Sequence, residues 1–434
     1  MSNIEIGIIG LGVLLLLLAL RMPVATAMML VGFGGHWVIS PRGAVPSLAA
    51  NAYDTTTIEA LAILPLFVLM GNLAGVSGMS RNLYDAAYAW VGHYRGGLAS
   101  STIIGCAGFS ALSGSSLASA LTMGRVALPE MKRYKYSDKL ATGAVAAGGT
   151  LGILIPPSAG FVVYAILTEE SIGRLFMAGV LPGIMLATLF IAVIYLMTLV
   201  KPELGPPAEI KMAYRQRFAA LVQALPITII IVVTVGGIYL GVYSATEAAG
   251  IGCILAFIFA LFRRSLTWSN FADAVMNTLR STATTFLILI GAFVFTPFIA
   301  LSGIPDALLD LLTGLELGKF GLLAIVLVFL VVLGTFMEGF AILVLTLPLL
   351  EPVLRSFGID MVWYGVLMVI VLEMGLISPP VGINVFVVKS IAEDVPMNDI
   401  FKGIFPFWLA MGLALLILVF FPGIALLLPN TMFN

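Results

Sequence analysis

Two stretches decide the fold: Gly149-Thr150-Leu151-Gly152-Ile153-Leu154-Ile155-Pro156-Pro157-Ser158, and Gly375-Leu376-Ile377-Ser378-Pro379-Pro380-Val381-Gly382-Ile383-Asn384. Each interrupts an apolar run with a double proline. Proline has no N–H, so Pro156 leaves the carbonyl of Gly152 without its helical donor, and Pro379 does the same to Gly375. An orphan carbonyl in hydrocarbon costs several kcal/mol (roughly 2–7) unless something satisfies it, so a helix broken at membrane depth must face protein or a cavity. A hard cation such as Na+ fits, because carbonyl and hydroxyl oxygens replace its hydration shell. The half-helices that begin at Ser158 and Val381 aim their positive ends at the same depth, where an anion can sit. The competing reading is a pair of structural kinks in a packed bundle.

That the chain lies in lipid follows from composition. Of 434 residues, 61% are hydrophobic and 10% charged, with a mean hydropathy of +1.12. A water-soluble globule of this length carries about a quarter charged residues. The 21 basic residues against 22 acidic ones make no basic stripe, which argues against nucleic acid as a partner. Cys106 and Cys253 lie in apolar stretches, and His36 and His93 are the only histidines, so a disulfide framework, zinc or haem has almost no ligands.

Crossing a bilayer takes about 20 helical residues. Simple spans are expected at 5–20, 23–39, 58–76, 176–199, 219–241, 244–262, 281–303 and 403–428. They are continuous and lack period-two alternation, which implies helices rather than a barrel. Arg21 follows the first apolar run instead of preceding it, so that run reads as a retained span and not a signal peptide. Stretches 79–95 and 265–280 mix tryptophan and tyrosine with charge and read as interfacial amphipathic helices. Loops 40–57 and 304–319 carry few basic residues. Lysine and arginine at 128–140, at 201–217 (Lys201, Lys211, Arg215, Arg217) and around Arg263 and Arg280 put those loops in the cytoplasm and both termini outside. One loop disagrees: 392–402 must be cytoplasmic, yet holds Glu393, Asp394 and Asp399 against Lys402. The threading works only if 97–130 and 320–351 each enter and leave on one side, as re-entrant hairpins from opposite leaflets.

The chain is also a duplication. Ser77-Gly78-Met79 recurs as Ser302-Gly303-Ile304, 225 positions on. Gly152 answers Gly375, and Pro129 answers Pro352, 223 positions on in both cases. Each half holds five crossings and one hairpin, and an odd number of crossings inverts the second copy. The expected fold is therefore an all-α polytopic membrane protein with inverted-topology repeats, an architecture of secondary transporters.

The hairpin tips carry the remaining chemistry. Residues 108–116 pack Ser110, Ser113, Ser115 and Ser116 with two glycines; the bland alternative is serines bonding their own helix. The second tip, 334–339, has Thr335 and Glu338. Glu338 and Glu373 are intramembrane acids, functional by default, or else neutral structural groups. Asn384 follows the second break and either bonds substrate or glues helices. The substrate-binding expectation comprises Ser115, Ser116, Ser158, Glu338 and Asn384.

These residues resemble a family. The serine-rich tip at 108–116, the double-proline motifs at 149–158 and 375–384 and the Lys-Arg loop after Pro129 resemble, over essentially the full chain, the large membrane subunit of tripartite ATP-independent periplasmic (TRAP) transporters, the DctM type. The resemblance implies an elevator that carries small organic acids (a C4-dicarboxylate, sialic acid or similar carboxylate) inward with Na+. It implies one sodium site at Ser110, Ser113, Gly152, Ile155 and Pro157 and its repeat mate at Gly334, Thr335, Gly375, Ser378 and Pro380. No organic cofactor is implied. A separate small membrane subunit (DctQ type), a periplasmic substrate-binding protein (DctP type) and the bacterial inner membrane are.

The matching division is scaffold at 1–76, an interfacial helix at 77–96, transport domain at 97–175, scaffold at 176–303, a connector at 304–319, transport domain at 320–402 and a last helix at 403–434. A stand-alone Na+-coupled symporter or exchanger is the nearest rival. An intramembrane enzyme lacks GxSxG, HExxH and paired aspartates, and an ATP-driven pump lacks a complete GxxxxGK[ST].

Overall fold

A computed structural model of the chain describes residues 1–207 and 212–432; Lys211 lies outside the described residues. The first half runs through α1 (Asn3–Ala19), α2 (Val24–Ile39), α3 (Pro41–Thr57), α4 (Ile63–Val76) and α5 (Met79–Val91). It continues with α6 (Gly97–Ser113), α7 (Ser116–Arg133), α8 (Asp138–Leu154), α9 (Ala159–Thr168) and α10 (Ile172–Val200). The second half has α11 (Tyr214–Tyr239), α12 (Ala245–Phe262), α13 (Trp268–Ser302), α14 (Ile304–Gly314) and α15 (Lys319–Gly334). Then come α16 (Gly339–Ser356), α17 (Met361–Leu376), α18 (Ile383–Ile391), α19 (Met397–Phe420) and α20 (Gly423–Thr431). Among the described residues, eight helical stretches are long and apolar enough to cross a membrane.

The duplication holds at the level of single residues. A shift of 223 carries Ser116 onto Gly339, the first residues of α7 and α16, and Asp138 onto Met361, the first residues of α8 and α17. Gly78 and Gly303 both open a helix from the left-handed region, at φ 73° and 69°. Ahead of each, a serine hydroxyl donates three residues back: Ser77 Oγ to Ala74 O at 2.7 Å, Ser302 Oγ to Ile299 O at 2.6 Å. The Pro156-Pro157 and Pro379-Pro380 bonds are both cis. Packing follows the same relation, since α2 lies on α13 while their counterparts α12 and α4 lie on each other.

The two broken helices form the centre. Nearly every residue of α8 and all of α17 is buried, so neither shows an amphipathic face. Small residues let α8 pack tightly: a Cβ on Gly148 would stand 2.7 Å from Cys106 Sγ, and one on Gly149 2.7 Å from Ala120 Cβ. Large apolar side chains on the outer helices, such as Leu15, Leu196, Val232 and Ile254, are exposed, as a lipid-facing surface requires.

Each expected span falls on helix, with local differences. Residues 265–280 are not a separate interfacial helix but the start of the 35-residue α13, because nothing between Trp268 and Ser302 breaks a helix before Pro297. The helix of the expected span 403–428 ends at Phe420, because Pro422 cannot continue the ladder, and α20 begins anew at Gly423. The stretch 40–57, read as a loop, is α3, with Pro41 at the first helical position, where a missing N–H does no harm. A 3-10 turn, Glu59–Ala62, separates it from α4.

The discordant loop 392–402 also finds its reason. Asp394 pairs with Lys132, and Asp399 with Lys139 at 3.4 Å, so the acidic segment and the basic segment 128–140 lie at one end of the molecule. The Lys132 hydrogen bond holds the Asp394 carboxyl below the usual aspartate range. A lowered carboxyl stabilises the fold above its ordinary pKa, and that contribution disappears as pH falls through the lowered value. Both partners are exposed, so salt screens the pair. Asp394→Asn should therefore lower the melting temperature slightly at neutral pH and low salt. The difference should vanish in high salt and in acid below the aspartate range; a difference that persists there would contradict the assignment.

Candidate functional site

At the first hairpin, α6 ends because Gly114 turns left-handed, at φ 57°, and its N–H donates to Ser110 O at 3.1 Å. Ser115 is extended and caps α7, its Oγ accepting from the Ala118 N–H at 3.4 Å. The tip rests on the first break. Ala159 N–H donates to Gly114 O at 3.4 Å. A Cβ on Gly114 would come within 2.9 Å of Pro157 O, and one on Gly152 within 2.6 Å of Ser116 N, so only glycine permits this approach. Ser158 caps α9 by accepting from Phe161 N–H at 3.3 Å.

Oxygens converge there. Ser110 Oγ donates to Cys106 O at 2.6 Å, which leaves its lone pairs for other partners. Ser113 Oγ lies 2.9 Å from Ser119 Oγ, and Ser110 Oγ 3.5 Å from the same atom. Of the first cation set, Ser110, Ser113, Gly152 and Pro157 thus gather around one tip. The Ile155 side chain packs on Gly183 of α10. Ser119 belongs with them and was not read from the sequence.

The second set is looser. A Cβ on Gly334 would stand 2.8 Å from Gly375 Cα, so tip and break touch as in the first half. Ser378 Oγ, however, donates to Met374 O at 2.6 Å and accepts from Trp408 Nε1 at 2.9 Å, which turns it toward α19. Thr335 donates to Val332 O at 2.8 Å, and Pro380 is exposed. The two halves meet through a buried acid: Ser116 Oγ donates to Glu373 Oε1, while Oε2 has no partner.

A cavity of about 690 Å³ opens beside the first tip, between α4, α7 and α13 and below Glu338. Ser115 and Glu338 of the expected substrate ligands line it; Ser116 and Ser158 are buried and do not. Asn384 does not line it either, being fully buried, and neither its Oδ1 nor its Nδ2 has a partner. The wall includes residues that the sequence reading passed over: Arg125, Asn72, Asn277, Ser281 and Thr285. A signal for them exists. Ser115, Ala118, Thr122 and Arg125 recur at the three- and four-residue spacing of one helix face, as do Asn277, Ser281, Thr284 and Ile288. A second cavity of about 750 Å³, lined by Arg81, Tyr84 and Asp85, shares Arg125 with the first.

The chain is similar to known proteins over most of its length. The structure of the Alcanivorax borkumensis YdaH transporter superposes with a TM-score of 0.60 at 16% identity, covering 90% of this chain and 88% of that one, a likeness of fold alone. The C4-dicarboxylate TRAP transporter large permease protein DctM of Pseudomonas aeruginosa is 36% identical over 387 residues, 89% of this chain and 90% of the relative. The sialic acid TRAP transporter large permease protein SiaM of Vibrio cholerae is 32% identical over 371 residues, 85% of this chain and 86% of the relative. Residues 11–424 match the family described as tripartite ATP-independent periplasmic transporter, DctM component. With that match covering nearly the whole chain, including both hairpins and both breaks, the chain belongs to the DctM family, the large permease component of TRAP transporters.

Proposed function

We propose that this permease couples Na+ to uptake of a small organic acid across the bacterial inner membrane, by an elevator movement of residues 97–175 and 320–402 against the remaining helices. The observation that carries the reading is the contact of Gly114 and Ser115 with Gly152 and Pro157, beside a cavity holding Arg125. Main-chain oxygens freed by Pro156 and the hydroxyls of Ser110, Ser113 and Ser119 supply neutral oxygen ligands of the kind Na+ takes. A cation bound there neutralises lone pairs that otherwise repel and fixes the tip, and the fixed tip presents Ser115 and the start of α7 to a carboxylate. Arg125, on the same face of α7, offers the opposing charge. Ion and acid then stabilise one closed arrangement, and each raises the affinity of the other by the same factor.

In this reading the hairpins enter from opposite leaflets, both termini are periplasmic, and Gly334, Thr335, Gly375, Ser378 and Pro380 form the second cation site once Ser378 turns from Trp408. Delivery falls to a periplasmic binding protein of the DctP type, and a separate small subunit of the DctQ type completes the membrane complex. Family membership supports these partners.

The test is uptake of a panel of labelled carboxylates into vesicles carrying the chain with its small subunit, with and without the binding protein. An inward Na+ gradient should raise uptake on the order of tenfold over choline, a coupling of about 1.4 kcal/mol. Equal uptake in choline would refute the coupling. Full uptake by the chain alone would favour a stand-alone symporter.

A further inference from the structure

The two breaks lean on corresponding helices in different ways. Ile155 and Ser378 are repeat mates, 223 positions apart. Gly183 of α10 and Trp408 of α19 are mates as well, 225 positions apart, the same spacing that separates Ile172 from Met397 at the starts of those helices. In the first half the contact is apolar: a Cβ on Gly183 would stand 2.5 Å from the Ile155 side chain, which has no polar atom. In the second half the same contact is a hydrogen bond, from Trp408 Nε1 to Ser378 Oγ at 2.9 Å. The bulkiest side chain thus stands where the other copy has none.

This bond matters because Ser378 sits at the meeting point of the second tip and break. Gly334 of the tip touches Gly375, three residues ahead of Ser378, and Ser378 itself is buried. Its hydroxyl has one proton and two lone pairs. The proton goes to Met374 O at 2.6 Å and one lone pair to the Trp408 indole, so the oxygen is committed to its own helix and to α19. The first tip carries no such commitment to a distant helix. Ser110, Ser113 and Ser119 bond to one another and to Cys106 O, all within α6 and α7.

We propose that Trp408 is a positioning residue for the second cation site: it holds the Ser378 hydroxyl off the ion, and Na+ binds there by taking that oxygen from the indole. The two sites are then unequal and load in order, the first break before the second. A hydrogen bond must be given up at the second site and none at the first, and the net worth of one such bond corresponds to about 2- to 10-fold in a binding constant. The weaker site also empties first when Na+ falls. The proposal rests on Na+ being the coupling ion and on the residue sets of the two breaks.

Hydrogen exchange of the purified complex of large and small subunits, followed across a NaCl titration with choline chloride holding ionic strength constant, tests it at two segments, 149–158 and 374–384. The first segment should become protected at lower Na+ than the second. Trp408→Phe, which removes the N–H and keeps a ring, should lower the Na+ midpoint of 374–384 by about 2- to 10-fold and leave that of 149–158 in place. A tryptophan that merely supports the fold would move the midpoint the other way when cut back. In protein labelled with 5-fluorotryptophan, the resonance that Trp408→Phe removes should shift with Na+ at the midpoint of 374–384, and Ser378→Ala should abolish that shift. If Trp408→Phe does not assemble, Ser378→Ala identifies the same resonance by displacing it. A common midpoint for both segments, a midpoint raised or unchanged by Trp408→Phe, or a Trp408 resonance blind to Na+ would overturn the switch and leave Na+ coupling standing. Absence of protection at both segments at every Na+ concentration would refute the coupling ion itself, and the switch with it.

Discussion

Gly152→Val should reduce Na+-dependent uptake to background while the protein still reaches the membrane. A Cβ at this position would lie 2.5 Å from the Ser115 carbonyl oxygen and 2.6 Å from Ser116 N, and both are main-chain atoms that cannot swing away. The tip must therefore lift from the break. Overpacking of this kind costs about 1–3 kcal/mol, and here the whole cost falls on the arrangement that gathers the oxygens. Gly152→Ala should show a milder form of the same defect, since one methyl meets the same atoms without the two further branches. Vesicle uptake alongside the membrane content of each variant measures it. Near-normal uptake by Gly152→Val would mean that tip and break separate during transport without consequence.

Ser113→Leu should be nearly as severe, for a different reason. Ser113 Oγ is 2.9 Å from Ser119 Oγ, and the Ser113 backbone is pressed against Gly71 of α4, where a Cβ would stand 2.7 Å from Ser113 Cα. Leucine removes the hydroxyl and adds bulk where α4 leaves no room. Loss of one oxygen ligand costs about 1–3 kcal/mol, or about 5- to 150-fold in ion affinity. The Na+ concentration giving half-maximal uptake should rise by at least about fivefold, the low end of that range. Ser113→Thr keeps the hydroxyl and should stay close to the natural protein. An unchanged Na+ dependence in the leucine variant would remove the first hairpin from ion binding.

Much of this arrangement was legible in the sequence because backbone chemistry dictates it. Pro156 and Pro379 have no N–H whatever surrounds them, and the breaks stand where those residues stand. The duplication was readable from glycines and prolines, whose conformational demands survive when the side chains around them change; Gly78 and Gly303 share one backbone geometry. Harder to see were side chains whose meaning depends on a neighbour distant in sequence. Arg125 looks like one more cation near the basic loop until α7 is placed against α4 and α13. Asn277 and Ser281 were divided between an expected interfacial helix and an expected span, so their common face went unnoticed until α13 emerged as one helix. The acids at 392–402 pair with Lys132 and Lys139, partners more than 250 positions away that the local charge of the loop cannot reveal. Glu373 and Asn384 were singled out as intramembrane polar groups, and the fold buries both. They differ in partners: Glu373 takes a hydrogen bond from the other half's hairpin, while neither side-chain polar atom of Asn384 is hydrogen-bonded.

Hydrogen exchange at the first tip, residues 108–118, and at the first break, residues 149–158, compared in Na+ and in choline, tests most directly whether the ion docks where they meet. Na+ should slow exchange at both segments together, and Gly152→Val should abolish the slowing at both. Equal exchange in the two salts, or protection that survives Gly152→Val, would mean that no ion binds at this contact.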